Sequence, residues 1–470
     1  MTVQMMARGT PIELANVADL TPLTATTSAA DPQVVYGALM KRWGVVAPVE
    51  IEPGAPAWLV MGHAECIDMM RNEALYSRDP RNWRWNYENL LAPDAPVKTF
   101  SPDVPRAGSY HHDGETRRRL REPLDYALDA LPEKDIVRYT EQVSVRAIDA
   151  LGRSGSADLV RGFASRVGFL STAAMLGVPD KPAMQLMRDS ALISTHRPGA
   201  KEARERIGAT LMDQVQQARR SGRPGTDLIA AMVGHPNFES DDEVVDSVAV
   251  PLHAASMFLG AWIARVLHVE LADARFRARW IGGRIGLEDV MQEVLWRDAH
   301  VANSCAPRYA MEDVRLGDIL IRKGDAIVFA ISAANHDPRV HTGDSWDEVG
   351  NKSHISWGTG PHACPAPRQA LLITRTAVEV IQRELDLTLT IPADDVQWAP
   401  SPWVRQPLEL PVQFKRAIQR GTELPKTSYQ RTSVRTPGQV ARPMEAQWPS
   451  TAPPGTAPER ASSWWPVTDA

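Results

Sequence analysis

The chain has 470 residues, 43% hydrophobic and 23% charged, which supplies a large core and excludes disorder throughout. Its 52 Lys and Arg against 57 Asp and Glu leave a net charge of −5, so no general attraction to nucleic acid or to an anionic membrane is expected. Three widely spaced cysteines, Cys66, Cys305 and Cys364, contain no C-x-x-C pair. Neither a disulfide framework nor a zinc cluster is indicated, and a reducing cytoplasm is the expected setting.

Residues 1–30 are rich in Thr and Ala without periodicity and read as a flexible leader with at most one short ordered piece, and with no apolar run long enough for a signal peptide or membrane anchor. A short strand is expected over Ala57–Met61. The run Arg117, Arg118, Arg119 and Arg121 is too short and faces too many ways for a nucleic-acid patch. Leu287, Val290, Met291, Val294 and Leu295 follow helical spacing, with Glu288, Asp289, Gln292 and Glu293 on the opposite face. A strand over Ala326–Ile331 follows. After a Gly- and Pro-rich turn comes a second amphipathic helix carrying Ala370, Ile373, Ala377, Val380, Ile381 and Leu385. A last strand falls over Leu408–Phe414. Residues 417–470 are dominated by Pro, Thr, Ser, Arg and Gly and are expected to be disordered. No linker interrupts 31–416, so one mainly α domain with small β-sheets is predicted.

The chemistry is concentrated in residues 354–381, HISWGTGPHACPAPRQALLITRTAVEVI. Cys364 lies in a turn directly before a helix, where backbone N–H groups, the helix N-terminus and a metal favour a thiolate. Gly358 and Gly360 let the turn approach a flat macrocycle closely, and His362 can hydrogen-bond a carboxylate at its edge. An isolated cysteine in a loop is more often inert. This loop, however, resembles the haem-binding motif F-x-x-G-x-[HR]-x-C-x-G of the cytochrome P450 superfamily. Trp357 stands at the Phe position, Gly360, His362 and Cys364 match, and Ala366 replaces the last Gly. Further stretches from Asp31 to Phe414 resemble the family in order, including its first helix at 31–50 and its C helix at 113–128.

The resemblance implies the cytochrome P450 fold, haem b (iron protoporphyrin IX) as cofactor and Cys364 as iron ligand. It places Arg121 and Arg308 at propionate-binding positions and Arg117 where many relatives have His. It implies a distal pocket drawing on Trp85, Met257, Phe258 and Trp403. Two departures stand out. The family's E-x-x-R becomes Glu293-Val294-Leu295-Trp296, with Arg297 rotated about 100° further round the helix. This resembles an actinobacterial subgroup that lacks the arginine, and Trp296 is expected to pack in its place. The acid–alcohol pair of the oxygen-facing helix is also missing, leaving Ala254-Ala255-Ser256-Met257-Phe258, with Ser256 a candidate proton relay and His253 nearby. The implied activity is oxidation of a small, bulky apolar or aromatic substrate with molecular oxygen and electrons from ferredoxin and ferredoxin reductase. The alternatives are a peroxide-driven or coupling haem enzyme, or a haem-binding regulatory protein without turnover.

Overall fold

The computed structural model describes residues 11–417 except 153, 195–198, 223–226, 274–277, 280–282, 284, 298 and 341–351. The elements used below are α1 (Pro32–Trp43), α2 (His63–Arg71), α3 (Gly114–Ala130), α4 (Glu133–Ala150), α5 (Ser165–Met175), α6 (Asp180–Ser194), α7 (Ala200–Ser221), α8 (Asp241–Ala272), α9 (Leu287–Arg297), α10 (Ile331–Asn335) and α11 (Pro367–Glu384).

Two hydrophobic cores share the molecule. The larger is helical and buries the apolar stripes of α4, α5, α8, α9 and α11, including Ile373, Ala377, Val380 and Ile381 of the predicted second helix. The smaller surrounds a six-stranded mixed sheet ordered Thr21–Pro22, Val46–Glu52, Ala55–Val60, Ala326–Phe329, Arg308–Ala310, Tyr76–Ser77. Within it, Trp58 pairs in parallel with Ile327, and both are fully buried. A three-stranded sheet holds Leu385–Leu389, Pro411–Arg416 and Ser156–Asp158.

Helix α8 runs along the junction of the two cores. Val248, Trp262 and Val266 belong to the helical core, whereas Ala261, Met257 and Phe258 pack on the sheet core. The helix is interrupted by a π-helical turn at Ala255–Leu259, four residues beyond Pro251. Such turns cluster at functional positions and are fixed by their surroundings. Here the clamp is a glycine crossing. A Cβ on Gly260 would lie 2.8 Å from Ser165 Cα, and one on Gly168 of α5 would lie 2.8 Å from the Gly260 nitrogen. Backbone therefore meets backbone where α5 crosses the turn. Among the described residues α8 is also the one helix long and apolar enough to cross a membrane, but most of it is buried inside the protein.

Three expectations need correction. The strand at Ala326 stops at Phe329, and Ile331 begins α10 instead. Gln292 and Glu293 are buried rather than solvent-facing, because α9 is covered on that side by the segment before Cys364. The leader is shorter than 1–30. Leu14 and Leu23 are buried, Ile12 bridges to Ile319, and Arg405 donates to the carbonyls of Thr27, Ala29 and Ala30 at 2.7–2.9 Å. Residues 1–10 and the predicted tail from 418 lie outside the described residues.

Candidate active site

The loop around Cys364 is shaped by its own backbone. Gly358 donates to the Ile355 carbonyl at 2.8 Å, Ala363 to Gly360 at 3.1 Å, and the Cys364 N–H to the Trp357 carbonyl at 2.8 Å. Gly360 sits at φ +71° with its missing Cβ only 2.8 Å from the Met70 carbonyl, so the end of α2 excludes any side chain there. Pro367 opens α11, and the Ala366 N–H points at the Cys364 sulfur from 3.5 Å. Burial raises the Cys364 thiol above its ordinary range, outweighing the Ala366 N–H and the nearby Arg121. The helix N-terminus alone therefore does not make a thiolate here. A bound metal cation would, since a coordinating thiol is deprotonated outright.

Trp357 meets Trp262 of α8 edge-on at 5.4 Å between centroids, and Trp262 stacks on His300 at the same distance. Arg121 donates to the Ala363 carbonyl at 3.1 Å and to Asp125 at 2.7 Å, bracing the loop from α3. On the other side His362 lies 3.0 Å from Asp113. Burial pushes its imidazole down to about 3, so at neutral pH this is a neutral imidazole donating to a carboxylate. Burial would raise Asp113, but bonds from His362, Ser77 and the Arg78 N–H hold it below the usual carboxylate range. Glu73 joins the cluster, its carboxylate 3.9 Å from His362.

Arg308 is the buried cation of this corner. It donates to the carbonyls of Tyr76 and Met70 at 3.0 Å each, and desolvation beside Arg78 lowers it to about 9. Its Nε and the Nε of Arg78 are buried without a partner in the protein. Arg117, also buried, adds a third guanidinium near Asp113 and Glu73. Desolvated N–H groups left over in this way suit the carboxylates of a haem edge. The donor set thus fits haem b: a thiol in a glycine cradle, and unspent cationic donors beside it.

A partly open cavity lies along α8. Phe100, Val250, Ala254, Met257 and Phe258 form its apolar wall. Ala254 is exposed although it sits between buried Leu252 and Ala255, so that helix face opens onto empty space. One end is polar, with Arg106, Tyr110, Asp246 and His253. Burial pushes Asp246 up to about 6 and His253 down to about 4. Of the four sequence-named pocket residues, Met257 and Phe258 reach this cavity. Trp403 reaches it only through Phe100, which it meets edge-on at 5.6 Å, and Trp85 is buried beneath Arg84. Ser256, the suggested relay, is not on the lining, because the π-turn sets Ala254, Met257 and Phe258 there instead. Arg106 and Asp246 were not anticipated. The spacing of Asp246, Val250, His253 and Met257 at helical intervals was the available signal.

The Arg run of α3 is neutralised where it stands. Arg118 pairs with Glu115, Arg119 with Glu243 at 2.7 Å, and Arg121 with Asp125.

No family model matches the chain. Curated relatives align over about 80% of the chain. The 2-hydroxy-5-methyl-1-naphthoate 7-hydroxylase of Streptomyces carzinostaticus is 25% identical over 393 residues, covering 80% of this chain and 94% of that protein. The mycinamicin IV hydroxylase/epoxidase of Micromonospora griseorubida is 26% identical over 389 residues, with the same coverage. The solved structure of CYP154C4 from Streptomyces sp. W2061 superimposes with a TM-score of 0.74 at 22% identity, over 85% of this chain and 98% of that one. In sequence and in fold the chain is similar to cytochrome P450s. It is accordingly an oxidoreductase with haem b as cofactor, and it has the mainly α fold with small sheets that its sequence predicts. The two departures from the P450 pattern, at Trp296 and at 254–258, sit within that fold.

Proposed function

We propose that Cys364 is the axial ligand of the haem iron and that the enzyme oxidises a bulky apolar or aromatic small molecule held in the α8 cavity. The observation that carries this is the shared helix. Met257 and Phe258 wall the cavity, and one turn on Trp262 grips Trp357 of the cysteine loop. A thiolate-ligated haem supplies O–O bond cleavage. The chain's own contributions are orientation by Phe100, Met257 and Phe258, exclusion of water by the apolar wall, and donors for the haem carboxylates from Arg308 and Arg78, the His362 N–H being spent on Asp113. Ferredoxin and ferredoxin reductase remain the proposed electron source, and substrate turnover with that pair tests it.

A second reading is peroxide-driven oxidation or coupling. It is favoured by the position of Ser256 off the cavity, which leaves Asp246 and His253 as the titratable groups that α8 presents there. Turnover with hydrogen peroxide alone, and not with the ferredoxin pair, selects it. For the axial ligand, the reduced protein with carbon monoxide should give the thiolate-type absorption band, and Cys364→Ala should abolish it. A band that persists in that variant assigns the ligand elsewhere. Phe258→Ala should weaken binding of an aromatic ligand, read by the haem spectral shift, by roughly tenfold.

A further inference from the structure

Arg297 turns back to Glu293 of its own helix, 3.5 Å away. Among the described residues, the hydrogen bonds that join the last turn of α9 to the cysteine loop are made by neutral groups. Leu295 is in the last turn of α9, where carbonyls lack intrahelical partners. Its carbonyl accepts Ser356 Oγ at 2.7 Å and Asn335 Nδ2 at 2.9 Å. Asn335, at the end of α10, also donates to Ser356 Oγ at 3.0 Å and accepts the Ile355 N–H at 2.9 Å. One fully buried amide thus closes three bonds among two helix ends and the loop. Next to it His354 lies 2.9 Å from Gln292 Oε1, and Trp296 packs edge-on against the His354 ring at 5.6 Å. The register then passes directly to the sulfur: Ile355 and Ser356 precede Trp357, whose carbonyl holds the Cys364 N–H.

We propose that Asn335 and Ser356 are positioning residues for Cys364, joining α9 and α10 to its loop through uncharged hydrogen bonds. A buried amide is suited to this, since it incurs no ionic desolvation and leaves no donor unspent. Trp296 seals the network from water.

The inference rests on Cys364 as the axial ligand, and the parent protein tests that reading by itself: without its thiolate-type carbon-monoxide band, both readings fall. With the band present, Asn335→Ala should retain haem roughly tenfold more weakly and lose the thiolate-type band faster on standing. Ser356→Ala should do so more mildly, and Ser356→Thr, which keeps the hydroxyl, should restore the parent spectrum. Should Asn335→Ala fail to fold, as judged by circular dichroism, the Ser356 pair decides. Full retention of band and haem in Asn335→Ala and Ser356→Ala, or failure of Ser356→Thr to rescue, overturns the proposal, as does loss of the band in Arg297→Ala alone.

Discussion

At the scale of single residues, the cysteine corner separates two arginines that the sequence treats alike. Arg308 is buried, spends two nitrogens on backbone carbonyls and keeps Nε unpartnered. Arg121 donates to Asp125 and to the Ala363 carbonyl, bonds that brace the loop. Arg308→Ala should therefore weaken haem retention by roughly tenfold or more, since the charged hydrogen bond proposed to the haem edge and two backbone contacts go together. Arg121→Ala should leave retention closer to the parent and mainly shift the thiolate-type band. Haem titration of the two apoproteins checks this, and equal losses would place Arg121 at the haem edge as well. The contrast also shows what the sequence conveys. Cys364, His362 and Gly360 were legible because a single local loop carries them. Asn335, Ser356 and Leu295 were not, because their bonds join positions 21, 40 and 61 apart.

At the scale of elements, α8 is decided by contacts its own sequence does not announce. Periodicity predicts a helix there and says nothing of a π-turn, which depends on Gly168 and Gly260 meeting across the α5 crossing. The short strand ends were missed for a similar reason: at Ile331 burial on all sides hides the difference between strand and helix. Gly260→Ala places a methyl against Ser165 backbone, which cannot yield as a side chain would. It should destabilise by about 1–3 kcal/mol and realign Met257 and Phe258 in the cavity. Gly37→Ala in α1 has open space around it and should instead stabilise by about 0.5–1 kcal/mol. Thermal unfolding of the two variants checks the signs. An unchanged Tm in Gly260→Ala would mean that the crossing is loose.

For the molecule as a whole, acid is the weakness. His253 and His354 are pushed down to about 4, and His268 and His300 to about 3, each chiefly by burial. All four are neutral in the fold and take up protons on unfolding. Their contribution is complete above the unfolded value near 6.5 and is lost as pH falls toward 3–4, by up to about 1.4 kcal/mol per pH unit for each. Asp246, raised to about 6, opposes this with the contribution of one group. Urea midpoints should therefore fall steeply between pH 6 and pH 4, and a flat profile would mean that water reaches these rings.

The clasp of Arg405 on the carbonyls of Thr27, Ala29 and Ala30 carries an implication for synthesis on the ribosome. Translation is vectorial, and early segments ordinarily consolidate while later ones are still being made. Here the first packed turns, along with the Thr27 hydroxyl bonded to the Ser401 carbonyl, wait for a guanidinium encoded near the end of the domain. The turn around residues 27–30 is therefore expected to stay unfinished until almost the whole domain has emerged. A nascent chain stalled before residue 405 should leave the region around residue 27 open to protease, and release of the completed chain should close it.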